Sequence, residues 1–134
     1  MPDIQVMIVL GDAADDRFMD VNLGMSASGG TPGYLWLNFW PSGENLARVD
    51  AVAAHELNHN RRYANRRWDP VTVTVGEQVV SEGLGGTPVG LPTGAGYAVG
   101  NRLVDDYLTA TGQTAAHALL VEAADVIGMS GSVG

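Results

Sequence analysis

His55-Glu56-Leu57-Asn58-His59 sets two histidines four residues apart around a glutamate, in a chain with only three histidines. On a helix, residues four apart share one face, so both imidazoles can reach a single ion. Glu56, one step around the helix, then stands beside the ion's open position. This is the HExxH zinc arrangement: two ligands and a carboxylate that works on an activated water. A histidine-bearing core helix without metal is the simpler alternative, so the flanking sequence has to decide.

That flanking sequence is helical. Pro41-Ser42-Gly43-Glu44 predicts a helix start, with Ser42 or Gly43 near the N-cap and Glu44 favoured by the dipole in the first turn. Leu46, Val49, Val52, Ala53 and Leu57 recur at three- and four-residue steps and form one apolar stripe. His55, Glu56 and His59 border it, as in a helix at the floor of a cleft.

A catalytic zinc site has three protein ligands and a water. A nearby third histidine is excluded, because Arg62 and Asn65 stand where that pattern needs Gly and His. Downstream acids remain. Val79-Val80-Ser81-Glu82-Gly83-Leu84 sets one carboxylate in a nearly apolar run, where a cation would stabilise it. Thr74-Val75-Gly76-Glu77 reads as a capping box, which gives Glu77 a structural role. Glu82 is therefore the expected third ligand, and an ion pair with Arg102 or a neighbour is its ordinary alternative.

The segments HELNHN (55–60), VVSEGLG (79–85), GYAVGNRLVDDYL (96–108) and ALLVEAADVIGMSG (118–131) together resemble a bacterial family of predicted zinc-dependent proteases. That family combines HExxH with a later EGLA helix and a helix opening with GYxxG. The resemblance covers about residues 35–131 and is far more specific than HExxH alone. It implies a gluzincin, a zinc peptidase with two His and one Glu ligand. Three departures stand out. Gly85 replaces the usual Ala, and only Gly86 to Ala95 separates two helices that the family spaces more widely. The N-terminal region is also short, so the chain reads as a shortened member.

Composition narrows the class. A chain of 134 residues with 46% hydrophobic content predicts one compact metallohydrolase domain over 1–134. A net charge of −8 argues against a nucleic-acid partner, which needs a basic surface. No apolar run reaches membrane-spanning length, and no basic region precedes Ile4–Leu10, so neither a membrane partner nor a secretory signal is expected. The cytoplasm is the default compartment. Zero cysteines remove disulfides, thiolate metal sites and cysteine nucleophiles. All seven basic residues are arginines. Arg61, Arg62, Arg66 and Arg67 crowd after His59, where they read as a solvated helix C-terminus or as a clamp for an acidic substrate group.

The rest is scaffold. Ile4–Leu10 predicts a first strand ending at Gly11-Asp12. Gly24 to Gly33 predicts a loop or hairpin. Tyr34 to Trp40 alternates as a strand, read either as the upper rim of a cleft with a free edge for substrate or as a central strand. Gly94 to Thr111 predicts a helix stopped at Gly112, and its Gly96/Gly100 face allows close backbone approach. Thr114 predicts a cap for a helix carrying His117, followed by a short helix around Ala123 to Ile127. The expected class is α+β, a small N-terminal sheet followed by a mostly helical part. The expected activity is zinc-dependent hydrolysis of a peptide or protein substrate. Zn2+ would be held by His55, His59 and Glu82, with Glu56 as general base. Tyr97 is the expected oxyanion donor, with His117 and Arg61 as competitors. A non-catalytic zinc domain and an interaction module with a vestigial site are the alternatives.

Overall fold

Three strands open the chain: β1 (Gln5–Leu10), β2 (Met25–Ser28) and β3 (Tyr34–Phe39). The computed structural model describes residues 3–66, 68–69, 71–84 and 95–130. The sheet order is β1-β3-β2, with β1 parallel and β2 antiparallel to β3. β3 is therefore central, which selects the paired-strand reading over the rim reading. Alternation reports which face is buried, and Leu35 and Leu37 are buried as it requires. It carries no information about which backbone edges are paired. The Gly24–Gly33 segment resolves into β2 and the turn leading to β3, with Gly24 (φ 68°) and Gly33 (φ 85°) in the left-handed region. The apolar side chains of β1 are largely uncovered: Ile8 and Leu10 are 68% and 69% exposed.

Contacts group the chain into two units, Met1–Ala64 and Asn65–Gly134. The first holds the sheet, α1 (Asp16–Asp20), α2 (Gly43–Leu46) and α3 (Val49–Asn65). Ser42 caps α2 as expected, its hydroxyl accepting the Asn45 N–H at 3.1 Å. The single helix expected from Ser42 onward is broken at Ala47-Arg48. There Arg48 N–H turns back to the Asn45 carbonyl at 3.1 Å. Asn45 is tied elsewhere, because its amide nitrogen donates to the carbonyls of Leu23, Gly24 and Trp40 at 3.0–3.1 Å. A side chain anchored to three loop carbonyls fixes the first turn and forces the next helix to restart.

On α3 the apolar stripe is only half-buried, and Leu46 just before it is 54% exposed. The buried positions are His59, Asn60, Arg62 and Tyr63. Asn60 lies inward because the neighbouring loop presents carbonyls that need donors.

The second unit contains α4 (Val75–Leu84), α5 (Ala95–Thr111), α6 (Ala115–Ala118) and α7 (Ala123–Ser130). Thr74 caps α4, its hydroxyl accepting the Glu77 N–H at 3.1 Å. Val80, Val104, Tyr107, Ala118, Ala123 and Val126 form the core. Where α4 and α5 cross, Gly83 and Gly100 meet backbone to backbone, and a Cβ on either would overlap the other's main chain. The close approach expected of the Gly96/Gly100 face is thus found at Gly100. Gly112 (φ 67°) ends α5, as its sequence predicts. Thr114 is the N-cap of α6, and its hydroxyl meets His117 Nδ1 at 3.1 Å. With a small sheet followed by helices, the class is α+β. Among the described residues, no helix is long and apolar enough to cross a membrane.

The arginine cluster divides. Arg61 is exposed, but Arg62 is buried. Arg66 pairs with Glu122 and donates to the Leu120 carbonyl at 3.3 Å. A uniformly solvated helix end is therefore corrected for Arg62 and Arg66, whereas Arg67 lies outside the described residues.

Candidate active site

His55, Glu56 and His59 all lie on α3, in the first unit. The two imidazole centroids are 5.1 Å apart with planes at 81°. Two rings this close on one face suit a shared ion. Burial holds the His55 imidazole below the usual histidine range. That favours the neutral ring, the form that ligates metals. This donor set fits zinc.

Glu56 has a different environment. The Gly29 N–H, at the end of β2, donates to its Oε2 oxygen at 2.5 Å. Burial raises the carboxyl above the ordinary range, and the Gly29 hydrogen bond partly opposes the rise. The result is a carboxylate with one oxygen fixed by backbone and a basicity above that of an exposed glutamate. The approach is close: a Cβ on Gly29 would overlap the Glu56 main-chain carbonyl. Only glycine fits there.

Asn60 holds this loop against α3. Its amide nitrogen donates to the carbonyls of Thr31 at 2.6 Å, Tyr34 at 2.7 Å and Gly29 at 3.2 Å. Its side-chain oxygen accepts the Gly33 N–H at 3.1 Å. An NH2 group has two hydrogens, so the longest bond is shared. Tyr63 completes the set, its hydroxyl 3.2 Å from His59 Nδ1 and its ring stacked on that imidazole.

Gly29, Asn60 and Tyr63 have no role in the sequence reading. Tyr63 carried a usable signal, since it lies four residues after His59 on the same helical face. Asn60 carried none, because its partners lie 26–31 residues earlier.

Glu82, Tyr97 and His117 are on the second unit, whereas Arg61 is on α3. Glu82 lies on α4, half-buried, with Oε2 screened from solvent. Tyr97 falls in the first turn of α5, and its side chain lies outside the described residues. His117 is exposed on α6. Among the described residues, no three His, Cys, Asp or Glu side chains gather into a group able to hold a metal ion. Within the first unit, the structure brings His55, Glu56 and His59 together on α3.

No solved structure matches the chain. The uncharacterized protein YjfC of Bacillus subtilis (strain 168) is 36% identical over 73 residues, 53% of this chain. The chain spans only 24% of that relative's length. A family described as predicted Zn-dependent protease matches residues 1–90 and 84–128, which takes in α3, α4, α5 and most of α7. On that match, the chain belongs to the family of predicted Zn-dependent proteases.

Proposed function

We propose that the protein is a zinc-dependent peptide-bond hydrolase of gluzincin type, with α3 as its catalytic helix. The observation that carries this is Glu56, half-buried and fixed through one oxygen by Gly29, one residue along from an imidazole pair 5.1 Å apart. A purely structural site has no use for such a base. His55 and His59 hold the metal, and Glu82 is the proposed third ligand, supported by its half-buried carboxylate in the nearly apolar run 79–84. When bound, zinc supplies a Lewis acid that polarises a carbonyl and makes a water acidic.

The protein's own groups do the rest. Oε2 of Glu56 stays on the Gly29 N–H, which orients the carboxylate. The second oxygen takes the proton of the attacking water and later delivers it to the leaving amine. Tyr97 is the proposed oxyanion donor, since a donor opposite the base must come from another element. The substrate is a peptide or protein segment, and the cytoplasm is the proposed compartment.

Metal analysis tests the ligand set. Wild type should carry close to one zinc per chain, and His59→Ala should lose most of it. Unchanged zinc in both His59→Ala and Glu82→Ala would rule out the assignment. A second expectation concerns Tyr97. Removing one oxyanion donor costs about 10²–10³ in turnover. Tyr97→Phe should therefore lower kcat by that factor, with zinc content and melting temperature nearly unchanged. Wild-type kcat in that variant would remove Tyr97 and make His117→Ala and Arg61→Ala the next tests.

A further inference from the structure

His59 and Tyr63 lie one helical turn apart on α3, 8% and 9% exposed respectively. Their rings stack with centroids 5.5 Å apart and planes at 26°, and the hydroxyl lies 3.2 Å from Nδ1. We propose that Tyr63 is a positioning residue whose hydroxyl oxygen accepts the Nδ1–H of His59 and so keeps this ring in the tautomer that ligates through Nε2. The inference rests on the zinc reading of α3 and deepens it.

A neutral imidazole carries one N–H and one lone pair, and the partner of one nitrogen decides which is which. With Nδ1 committed to Tyr63, ligation through this ring falls to Nε2. Nδ1 must then carry the proton, and its partner must be an acceptor. A phenol oxygen meets that need without adding a charge to a buried site. The ring stack fixes the imidazole plane at the same time, so tautomer and orientation are set by one residue. Groups of this kind, hydrogen-bonded to a ligand and not to the metal, typically contribute about 10–100-fold in metal affinity.

Tyr63→Phe keeps the ring and its stacking while deleting the hydroxyl. Nitrogen-resolved NMR of the metal-free wild type should find His59 protonated at Nδ1, and Tyr63→Phe should shift the proton toward Nε2, with His55 unchanged. Competition with a chromophoric chelator should show the zinc Kd rising about 10–100-fold in the variant. His59 protonated at Nε2 in wild type would overturn the proposal, as would an unchanged zinc Kd in a wild-type-like Tyr63→Phe. If that variant folds poorly, the wild-type ring spectrum decides alone. A wild type that binds no zinc counts against the zinc reading, while the ring spectrum still reports where the His59 proton sits.

Discussion

Glu56→Gln is expected to keep its zinc and lose about 10²–10⁴-fold in hydrolysis of a diverse peptide library under metal-replete conditions. Glutamine is nearly isosteric with glutamate, and its amide oxygen can still accept the Gly29 N–H that Glu56 Oε2 accepts at 2.5 Å. The β2–β3 turn and α3 should therefore keep their geometry. What disappears is basicity: an amide cannot take a proton from water. Zinc content separates the possible failures. A variant that loses zinc would make Glu56 a ligand, and one that keeps both zinc and full activity would place the base elsewhere.

The second large effect is on stability. Asn60→Ala deletes the bonds to Gly29, Thr31, Tyr34 and Gly33 at once. Asn60 is 2% exposed, so its removal leaves three carbonyls and an N–H facing a cavity that the side chain had filled. At about 1 kcal/mol for each net hydrogen bond, the loss should come to about 3–4 kcal/mol. Urea unfolding should show a lower midpoint at similar slope. Asn60→Asp keeps the acceptor for Gly33 but turns a carboxylate toward three carbonyls, and it should be no more stable than the alanine variant. An Asn60→Ala protein within about 1 kcal/mol of wild type would mean that water replaces these bonds readily.

How much of this was legible follows from the range of each interaction. HExxH, the Ser42 and Thr74 caps and the Gly112 stop each act within one helical turn, and the sequence displays them directly. The class was legible too, because alternation in Tyr34–Phe39 and three-to-four periodicity after it are unlike patterns. The centrality of β3 was not, since both of its pairings depend on strands elsewhere in the chain. Nor was the inward turn of Arg62 visible, because sequence reports its charge and not its surroundings. The break at Ala47-Arg48 comes from Asn45 reaching residues 21 and 22 positions earlier, beyond any local pattern.

The crossing of α4 and α5 constrains Glu82 without touching it. Gly83 and Gly100 meet main chain to main chain, so no side chain stands between the helices to repack if α4 rotates. Ordinary helix pairs accommodate a small roll by changing rotamers; this pair has none to change at its point of contact. The azimuth at which residue 82 leaves α4 is thus indexed to a glycine on a different helix. Neither glycine can be enlarged and then compensated by trimming the other, because both are already at the smallest possible size. The two positions are therefore mutationally locked, and neither can be reached through a tolerated intermediate.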